Sequence, residues 1–174
     1  MSGSYLYACI CEGTAERVII NKLLDEERLV FNRKDLLDRE VLRCRSPRDF
    51  ERQYLGKKFS QKIKVFRIQD SRREAFNLKA AYKDKVEVIN VITAPEIEVL
   101  VIICEKKVKD FNKCKSYMKP SEYCKTVLKI SDVKKEDFLK EYFSDTNRLI
   151  FAIKEYKKLF KVQRNESCLA DILK

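Results

Sequence analysis

The sequence contains no histidine and no tryptophan, and only three glycines among its 174 residues. Without histidine the chain lacks the commonest general base, which excludes the Ser-His-Asp and Cys-His mechanisms. Zinc is also disfavoured, because the seven cysteines include no Cys-x-x-Cys pair. Any catalysis must therefore use carboxylates, lysines, tyrosines or a metal ion bound by oxygen.

Glycine-rich loops and long apolar runs are missing as well. With only Gly3, Gly13 and Gly56 in the chain, a phosphate-binding loop or a dinucleotide site is excluded. The longest apolar run, Ile97 to Cys104, is far shorter than the roughly 20 residues of a spanning helix. The first residues do not resemble a signal peptide, and cysteines such as Cys9 and Cys11 alternate with apolar neighbours like buried thiols. We therefore expect a cytoplasmic protein without a membrane partner.

Positive charge is abundant and unevenly distributed. The formal net charge is +11 and the isoelectric point is near 9.3, which favours a polyanionic partner such as nucleic acid. Up to Gly56 there are ten basic and ten acidic residues, so the excess lies downstream. It is concentrated in residues 57–73, 106–119 and 154–164.

The first two thirds of the chain alternate between apolar strand patterns and helical patterns. This alternation predicts an α/β fold, with a mainly parallel sheet and helices on both faces. The predicted strands are 5–11, 41–45, 63–69 and 86–92, with 41–45 at an edge, and the predicted helices are 14–26, 47–55, 72–83 and 96–110.

Strand patterns end after about Lys113. Helices are predicted from Pro120 to about Leu128, from Lys135 to Phe143, and after a cap at Asp145. We therefore divide the chain into an α/β domain, residues 1–112, and a helical C-terminal extension, residues 113–174, packed on the same core.

Acidic residues follow three of the predicted strands. Glu12 follows the first, Asp70 follows 63–69, and Glu96 and Glu98 follow 86–92. Parallel strands bring their carboxyl ends to one edge of the sheet, where ligands bind in open α/β folds. Glu12, Asp70 and one of Glu96 or Glu98 could therefore meet, and oxygen-only ligands favour Mg²⁺ or Mn²⁺.

Each of these acids also has a plainer interpretation. Glu12 could stabilise the first helix through its dipole, and Asp70 could be the N-cap of a helix starting near Arg72. Glu96 fits a first-turn acid of the following helix, whereas Glu98 opens its apolar face and is the better ligand candidate.

Three segments together resemble the RloB-like family, a Toprim-related family associated with restriction and phage defence. They are Cys11-Glu12-Gly13-Thr14-Ala15-Glu16, Gln69-Asp70-Ser71-Arg72, and Thr93-Ala94-Pro95-Glu96-Ile97-Glu98-Val99-Leu100. The resemblance implies a Toprim-like sheet carrying a metal-dependent acidic site of the nuclease type.

The resemblance also implies roles for three residues. Glu12 matches a strand-end glutamate that serves as acid/base or metal ligand, Asp70 matches one aspartate of an Asp-x-Asp pair, and Glu98 matches the glutamate after the proline. The second aspartate has no counterpart, because positions 68 and 72 are Ile68 and Arg72. This departure keeps open a site that binds nucleic acid without cutting it.

A basic cluster flanks the Asp70 strand in the sequence. It predicts a phosphate-binding surface beside the acidic site, in which Lys64, Arg67 or Arg72 would offset developing negative charge. Its members are Lys57, Lys58, Lys62, Lys64, Arg67, Arg72 and Arg73.

The sequence thus supports three functional hypotheses. The first is a Mg²⁺- or Mn²⁺-dependent nuclease of a phage-defence or mobile-element system, with Glu12, Asp70 and Glu98 as catalytic and metal-binding residues. The second is a non-catalytic nucleic-acid-binding or regulatory protein with an eroded acidic site. The third is a component of a defence complex whose basic surface meets an acidic protein partner.

Overall fold

The computed structural model describes residues 5–44, 46–56, 61–72, 74–163 and 166–174. It is an α/β fold whose sheet has three parallel strands in the order β1-β2-β3. The strands are β1 (Leu6–Cys11), β2 (Ile63–Gln69) and β3 (Val86–Ile92). Cys11 pairs with Ile68 and Gln69 with Ile92, so all three carboxyl ends lie at one edge of the sheet.

Helices cover both faces of the sheet. One π-helical turn, Glu51–Leu55, follows directly on the short helix Pro47–Phe50. The α-helices of the described residues are α1 (Thr14–Asp25), α2 (Pro47–Phe50), α3 (Val99–Cys104), α4 (Val108–Cys114), α5 (Pro120–Thr126), α6 (Glu136–Tyr142) and α7 (Thr146–Leu159).

The alternating side chains of the strands contribute to two apolar clusters. On one face, Cys9, Phe66 and Val91 pack with helices α1 and α3 to α7, which form the larger cluster. On the other face, Ile10 and Val65 pack with the π turn and with residues 76 and 78. Helix α7 packs on α3 within the larger cluster, so the C-terminal helices share the core of the sheet.

The prediction of a strand over 41–45 is wrong for the described residues 41–44. Leu42 does lie at an edge of the sheet, as predicted, beside β1. Leu42 forms a single parallel bridge with Ile10, and its N–H donates to the carbonyl of Cys9 at 2.7 Å. Among the described residues 41–44, only Leu42 pairs with β1, and the chain turns just before this segment, where Asp38 and Arg39 both have positive φ.

The predicted helix 72–83 is also wrong. In the described part of this stretch, the only helical turn is a short 3-10 turn, Ala80–Tyr82. Phe76 and Leu78 are buried while their neighbours are exposed, a spacing of two residues that is typical of extended chain. The apolar residues of this stretch therefore pack under the sheet without forming a helix.

The predicted helix 96–110 is divided into α3 and α4. Helix α3 ends in a Schellman motif, in which the N–H of Lys107 donates to Ile102 O and the N–H of Lys106 to Ile103 O. Lys106 adopts a φ of 57° at the position where glycine is usual, so the sequence carried no stop signal there. The predicted cap at Asp145 is confirmed, because its carboxylate accepts the N–H of Asn147 at 2.9 Å.

All seven cysteines are free thiols, and all but Cys104 are buried, which confirms that Cys9 and Cys11 serve as small core residues. Among the helices that the structure describes, none is long and apolar enough to cross a membrane.

Candidate functional site: an acidic cleft at the end of the sheet

A cleft of about 430 Å³ opens at the carboxyl edge of the sheet. Parallel pairing places Glu12 directly after β1 and Asp70 directly after β2 on its wall, while Glu96 and Glu98 approach from the loop after β3. The predicted site residues Glu12, Asp70 and Glu98 therefore line one cleft. Its charged residues are Glu12, Glu16, Asp70, Glu74, Glu96, Glu98 and Lys134.

Glu12 is held by a buried arginine. Arg67, in the middle of β2 and 2% exposed, donates from Nη2 to Oε1 of Glu12 at 3.0 Å and from Nη1 to the carbonyl of Glu74 at 3.1 Å. Burial and the charge of Glu74 raise the pKa of Glu12, although Arg67 opposes the shift. Gly13, not Glu12, is the N-cap of α1, so Glu12 does not cap that helix.

Glu16 enters the cleft from the first turn of α1. Its side chain folds back over Gly13, where an added Cβ would lie 2.2 Å from Oε2 of Glu16. Burial raises the pKa of Glu16, a bond with its own backbone opposes the shift, and the charge of Asp70 adds to it. Glycine at position 13 thus permits the close approach of the Glu16 carboxylate.

The two glutamates after β3 differ in their surroundings. Glu96 accepts the N–H of Ser121 at 2.9 Å and the ammonium of Lys134 at 3.2 Å. Burial alone would raise the pKa of Glu96, but these hydrogen bonds outweigh it and lower the pKa. Glu98 is 4% exposed, and burial raises its pKa to about 7 despite a bond with its own backbone and the charge of Lys134. Glu98 is therefore suited to exchange a proton near neutral pH.

The C-terminal helices hold the loop that carries Glu96 and Glu98. The hydroxyl of Tyr156, on α7, donates to the carbonyl of Ala94 at 2.5 Å. The first turn of α5 supplies the N–H of Ser121, and Lys134 comes from the turn before α6. Residues from both halves of the chain thus build the cleft.

The acidic side chains that line the cleft offer carboxylate oxygens, and a hard cation such as Mg²⁺ or Mn²⁺ prefers oxygen ligands. Within the described residues, however, no three acidic, histidine or cysteine side chains are grouped closely enough to hold a metal ion. Ile68 is fully buried, and Arg72 donates to Glu166 at 2.8 Å, so neither position supplies a second ligand beside Asp70. Asp70 is exposed, and no described helix begins near Arg72 for it to cap.

The described members of the basic cluster predicted around Asp70 do not lie on one surface. Lys62 and Lys64 lie at the amino end of β2, with Lys64 six residues from Asp70. At about 3.3 Å per residue this separates them by roughly 20 Å. Lys64 pairs with Glu87 at 3.3 Å.

The other members of that cluster have different environments. Arg67 is buried behind Glu12, so its assignment to a solvent-facing phosphate surface is wrong. Arg72 joins the C-terminal segment through Glu166 and the carbonyl of Lys161. Lys57, Lys58 and Arg73 lie outside the described residues.

Besides Glu96, for which the sequence favoured a first-turn position over a ligand role, three charged residues of the cleft were not predicted: Glu16, Glu74 and Lys134. Glu16 had a signal, because it completes the Glu-Gly-x-x-Glu pattern after β1. Glu74 and Lys134 lie in irregular segments, where no periodicity indicates which way a side chain faces.

Comparison with known proteins finds no matching family model, no matching curated protein and no matching solved structure.

Proposed function

We propose that this protein is a metal-dependent nucleic-acid enzyme, a nuclease of the RloB-like, Toprim-related type, acting in a phage-defence or mobile-element system. The reaction would take place in the acidic cleft. Its substrate would be a phosphodiester of DNA or RNA, which agrees with the formal charge of +11.

The observation that supports the proposal is the convergence of carboxylates on one cleft, three of them with raised pKa. Glu12, Glu16 and Glu98 each have a pKa above the ordinary value, because Glu16 and Glu98 are buried and Glu12 is partly buried beside other acids. A divalent cation would reduce the repulsion among these carboxylates. Carboxylates with shifted pKa values in a cleft are typical of functional sites.

Glu12, Asp70 and Glu98 are the proposed ligands of Mg²⁺ or Mn²⁺, and to hold the ion they would have to move closer together than they lie in the structure. A bound ion would polarise a phosphate oxygen and lower the pKa of a water molecule. With no ion bound, Glu98 holds a proton near neutral pH, and it would release this proton on binding the ion, because a carboxyl must be ionised to serve as a metal ligand. Lys134 is the cation of the cleft lining and can contact a phosphate oxygen.

The test is a cleavage assay on single- and double-stranded DNA and RNA with Mg²⁺, Mn²⁺ or EDTA. We expect metal-dependent cleavage by the parent protein and a loss of roughly a hundredfold or more in Glu98→Gln and Glu12→Gln. Glu141→Gln, on an exposed position of α6 outside the cleft, is the matched control and should cleave like the parent. Absence of cleavage by the parent on every substrate would reject the nuclease proposal.

A second candidate is a non-catalytic nucleic-acid-binding or regulatory protein with an eroded site. It is favoured by Ile68 and Arg72 at the positions of the missing aspartate, and by the absence of a metal-holding group in the part of the chain described. In that case the parent binds nucleic acid without cutting it, and Glu12→Gln binds equally or slightly more tightly because it removes a negative charge.

A further inference from the structure

Residues 105–129 form a strongly basic surface segment, referred to below as the lysine-rich segment. It includes α4, α5 and their connections and contains eight lysines against three acids. All eight lysines are exposed. They are Lys106, Lys107, Lys109, Lys113, Lys115, Lys119, Lys125 and Lys129.

Little of this charge is neutralised locally. Lys107 and Lys113 both pair with Asp110, at 3.7 Å and 3.0 Å. The other six lysines pair with no carboxylate among residues 5–44, 46–56, 61–72, 74–163 and 166–174. The lysine-rich segment therefore presents a concentrated positive charge to solvent.

This segment adjoins the acidic cleft. The N–H of Ser121, in the first turn of α5, donates to Oε2 of Glu96 at 2.9 Å. The rings of Phe111 and Tyr123 pack edge to face with centroids 5.4 Å apart, which joins α4 to α5. Lys119 lies two residues before Ser121, and Lys125 lies one helical turn after it on the same side of α5.

The cleft itself is poorly suited to hold a polyanion. Among the residues that the structure describes, six carboxylates line it against the single ammonium of Lys134. A metal ion could bind one phosphate there, but neighbouring phosphates of a strand need cations outside the cleft. The lysine-rich segment supplies such cations within about one helical turn of Ser121, whose N–H bonds to Glu96.

An exposed aromatic ring lies within this charge. Tyr117 is 74% exposed, more than any other large hydrophobic residue of the described chain, and stands between Lys115 and Lys119. An exposed ring flanked by cations is the arrangement that binds single-stranded nucleic acid, because bases stack on the ring while phosphates meet the lysines. A double helix keeps its bases stacked inside and gives the ring no such contact.

We propose that the lysine-rich segment is the nucleic-acid-binding surface of this protein and guides a single strand into the acidic cleft, with a base stacked on Tyr117. This proposal rests on the proposed function, since it names the surface and the strand type that serve the same cleft. It replaces the surface around Asp70 that the sequence predicted.

Binding of a fluorescein-labelled single strand of about twenty nucleotides, followed by anisotropy at several salt concentrations, tests the surface. The triple variant Lys115→Gln, Lys119→Gln and Lys125→Gln should lower the salt slope by about 2, at about 0.7 per lost phosphate contact on a single strand. The matched control is Lys62→Gln, Lys83→Gln and Lys85→Gln, which removes equal charge at the amino end of the sheet. It should leave the slope near that of the parent.

The role of the ring is tested separately. Tyr117→Ala should weaken single-strand binding roughly tenfold, whereas Tyr117→Phe keeps the ring and should bind like the parent. Neither change should alter the weaker binding of a duplex of the same length.

The outcomes separate this proposal from the proposed function. If both triple variants lose the same salt slope, or only the control loses it, the assigned surface is wrong, while metal-dependent cleavage by the parent would still support the nuclease. The partner is an acidic protein if two results are obtained together: polyglutamate displaces the labelled nucleic acid as effectively as unlabelled nucleic acid does, and Tyr117→Ala does not change binding. If the parent binds no nucleic acid at low salt, both proposals are overturned.

Discussion

Arg67 and Glu12 form an ion pair across neighbouring parallel strands, with Nη2 of the arginine 3.0 Å from Oε1 of the glutamate. The guanidinium lies 4.7 Å from the ring centre of Phe76, so its charge is enclosed on the side away from the cleft. The ion pair thus connects the smaller apolar cluster to the wall of the acidic cleft.

Arg67→Met should destabilise the protein by about 3 kcal/mol at pH 7, because it removes the buried guanidinium that pairs with Glu12 beside Glu74. Removing Arg67 also raises the pKa of Glu12 further, since the guanidinium now lowers it. A carboxyl with a raised pKa favours folding below its unfolded pKa, and this contribution is lost as the pH rises. Urea denaturation should therefore show a smaller loss near pH 4 than at pH 7.

A double variant separates charge from packing at this position. Adding Glu12→Gln to Arg67→Met should restore part of the stability lost at pH 7, because it also removes the negative charge that the guanidinium had offset. Equal stability of the single and double variants would show that the loss comes from packing on Phe76 rather than from charge.

Tyr156→Phe should lower the free energy of unfolding by about 1 kcal/mol. The change removes the bond from its hydroxyl to the carbonyl of Ala94 and leaves that acceptor without its partner. Tyr117→Phe is the control, because its ring is 74% exposed, and its stability should match that of the parent. If the two variants are equally stable, the bond from α7 does not hold the loop that carries Glu96 and Glu98.

Parallel pairing explains why the acids at the strand ends could be predicted together. The apolar patterns of β1, β2 and β3 were regular enough to locate the last residue of each strand, and the geometry of a parallel sheet then brings Glu12 and Asp70 to one edge. Once the end of each strand is located, the sequence gives the residue that follows it. This part of the site could therefore be predicted without knowing how the helices pack.

The remainder of the site depends on contacts distant in the sequence. Lys134 reaches Glu96 across 38 positions, and Arg67 reaches Glu12 across 55. The buried side of a strand is usually apolar, so an arginine within β2 was interpreted as part of a surface cluster. Its burial becomes understandable only with Glu12, Glu74 and Phe76 around it.

The burial of the cysteines predicts the order in which their thiols react with a thiol reagent. In native protein, Cys104, which is only half buried, should react with a thiol reagent before the other six cysteines. Burial raises the pKa of Cys104, so even this reaction should be slow at pH 7. Unfolding in guanidinium should expose all seven thiols at once, and fast reaction of several in the native state would contradict their burial.

Glu98 should make stability depend on pH. Its pKa in the folded protein is about 7, against an ordinary value of 4.5, so the neutral carboxyl favours the folded state. This contribution is complete below about pH 4.5 and is lost as the pH rises through about 7. The shift corresponds to on the order of 3 kcal/mol.

Glu98→Gln removes this dependence because glutamine does not ionise. Relative to the parent, the variant should gain stability between pH 5 and pH 8 in urea denaturation. Glu141→Gln, outside the cleft, controls for the replacement of a glutamate by glutamine. A difference between parent and Glu98→Gln that is the same at both pH values would contradict the raised pKa.

Lys134 should set the protonation of Glu98. Its ammonium lies 3.2 Å from Glu96, and its charge lowers the pKa of both Glu98 and Glu16. Lys134→Met should therefore raise the pKa of Glu98 above about 7, so that more of the protein carries a neutral carboxyl there at neutral pH. The side chain of Lys134 is 58% exposed, so the accompanying change in stability should stay below about 1 kcal/mol.

Titration of the side-chain carboxyl carbon by NMR, assigned with Glu98→Gln, measures this shift directly. Lys135→Met is the matched control, since Lys135 stands next in the chain but pairs with Asp132 at 2.9 Å and does not line the cleft. We expect the titration midpoint of Glu98 to rise in Lys134→Met and to stay unchanged in Lys135→Met. Equal midpoints in parent and Lys134→Met would mean that the ammonium does not act on Glu98, and burial alone would then account for its raised pKa.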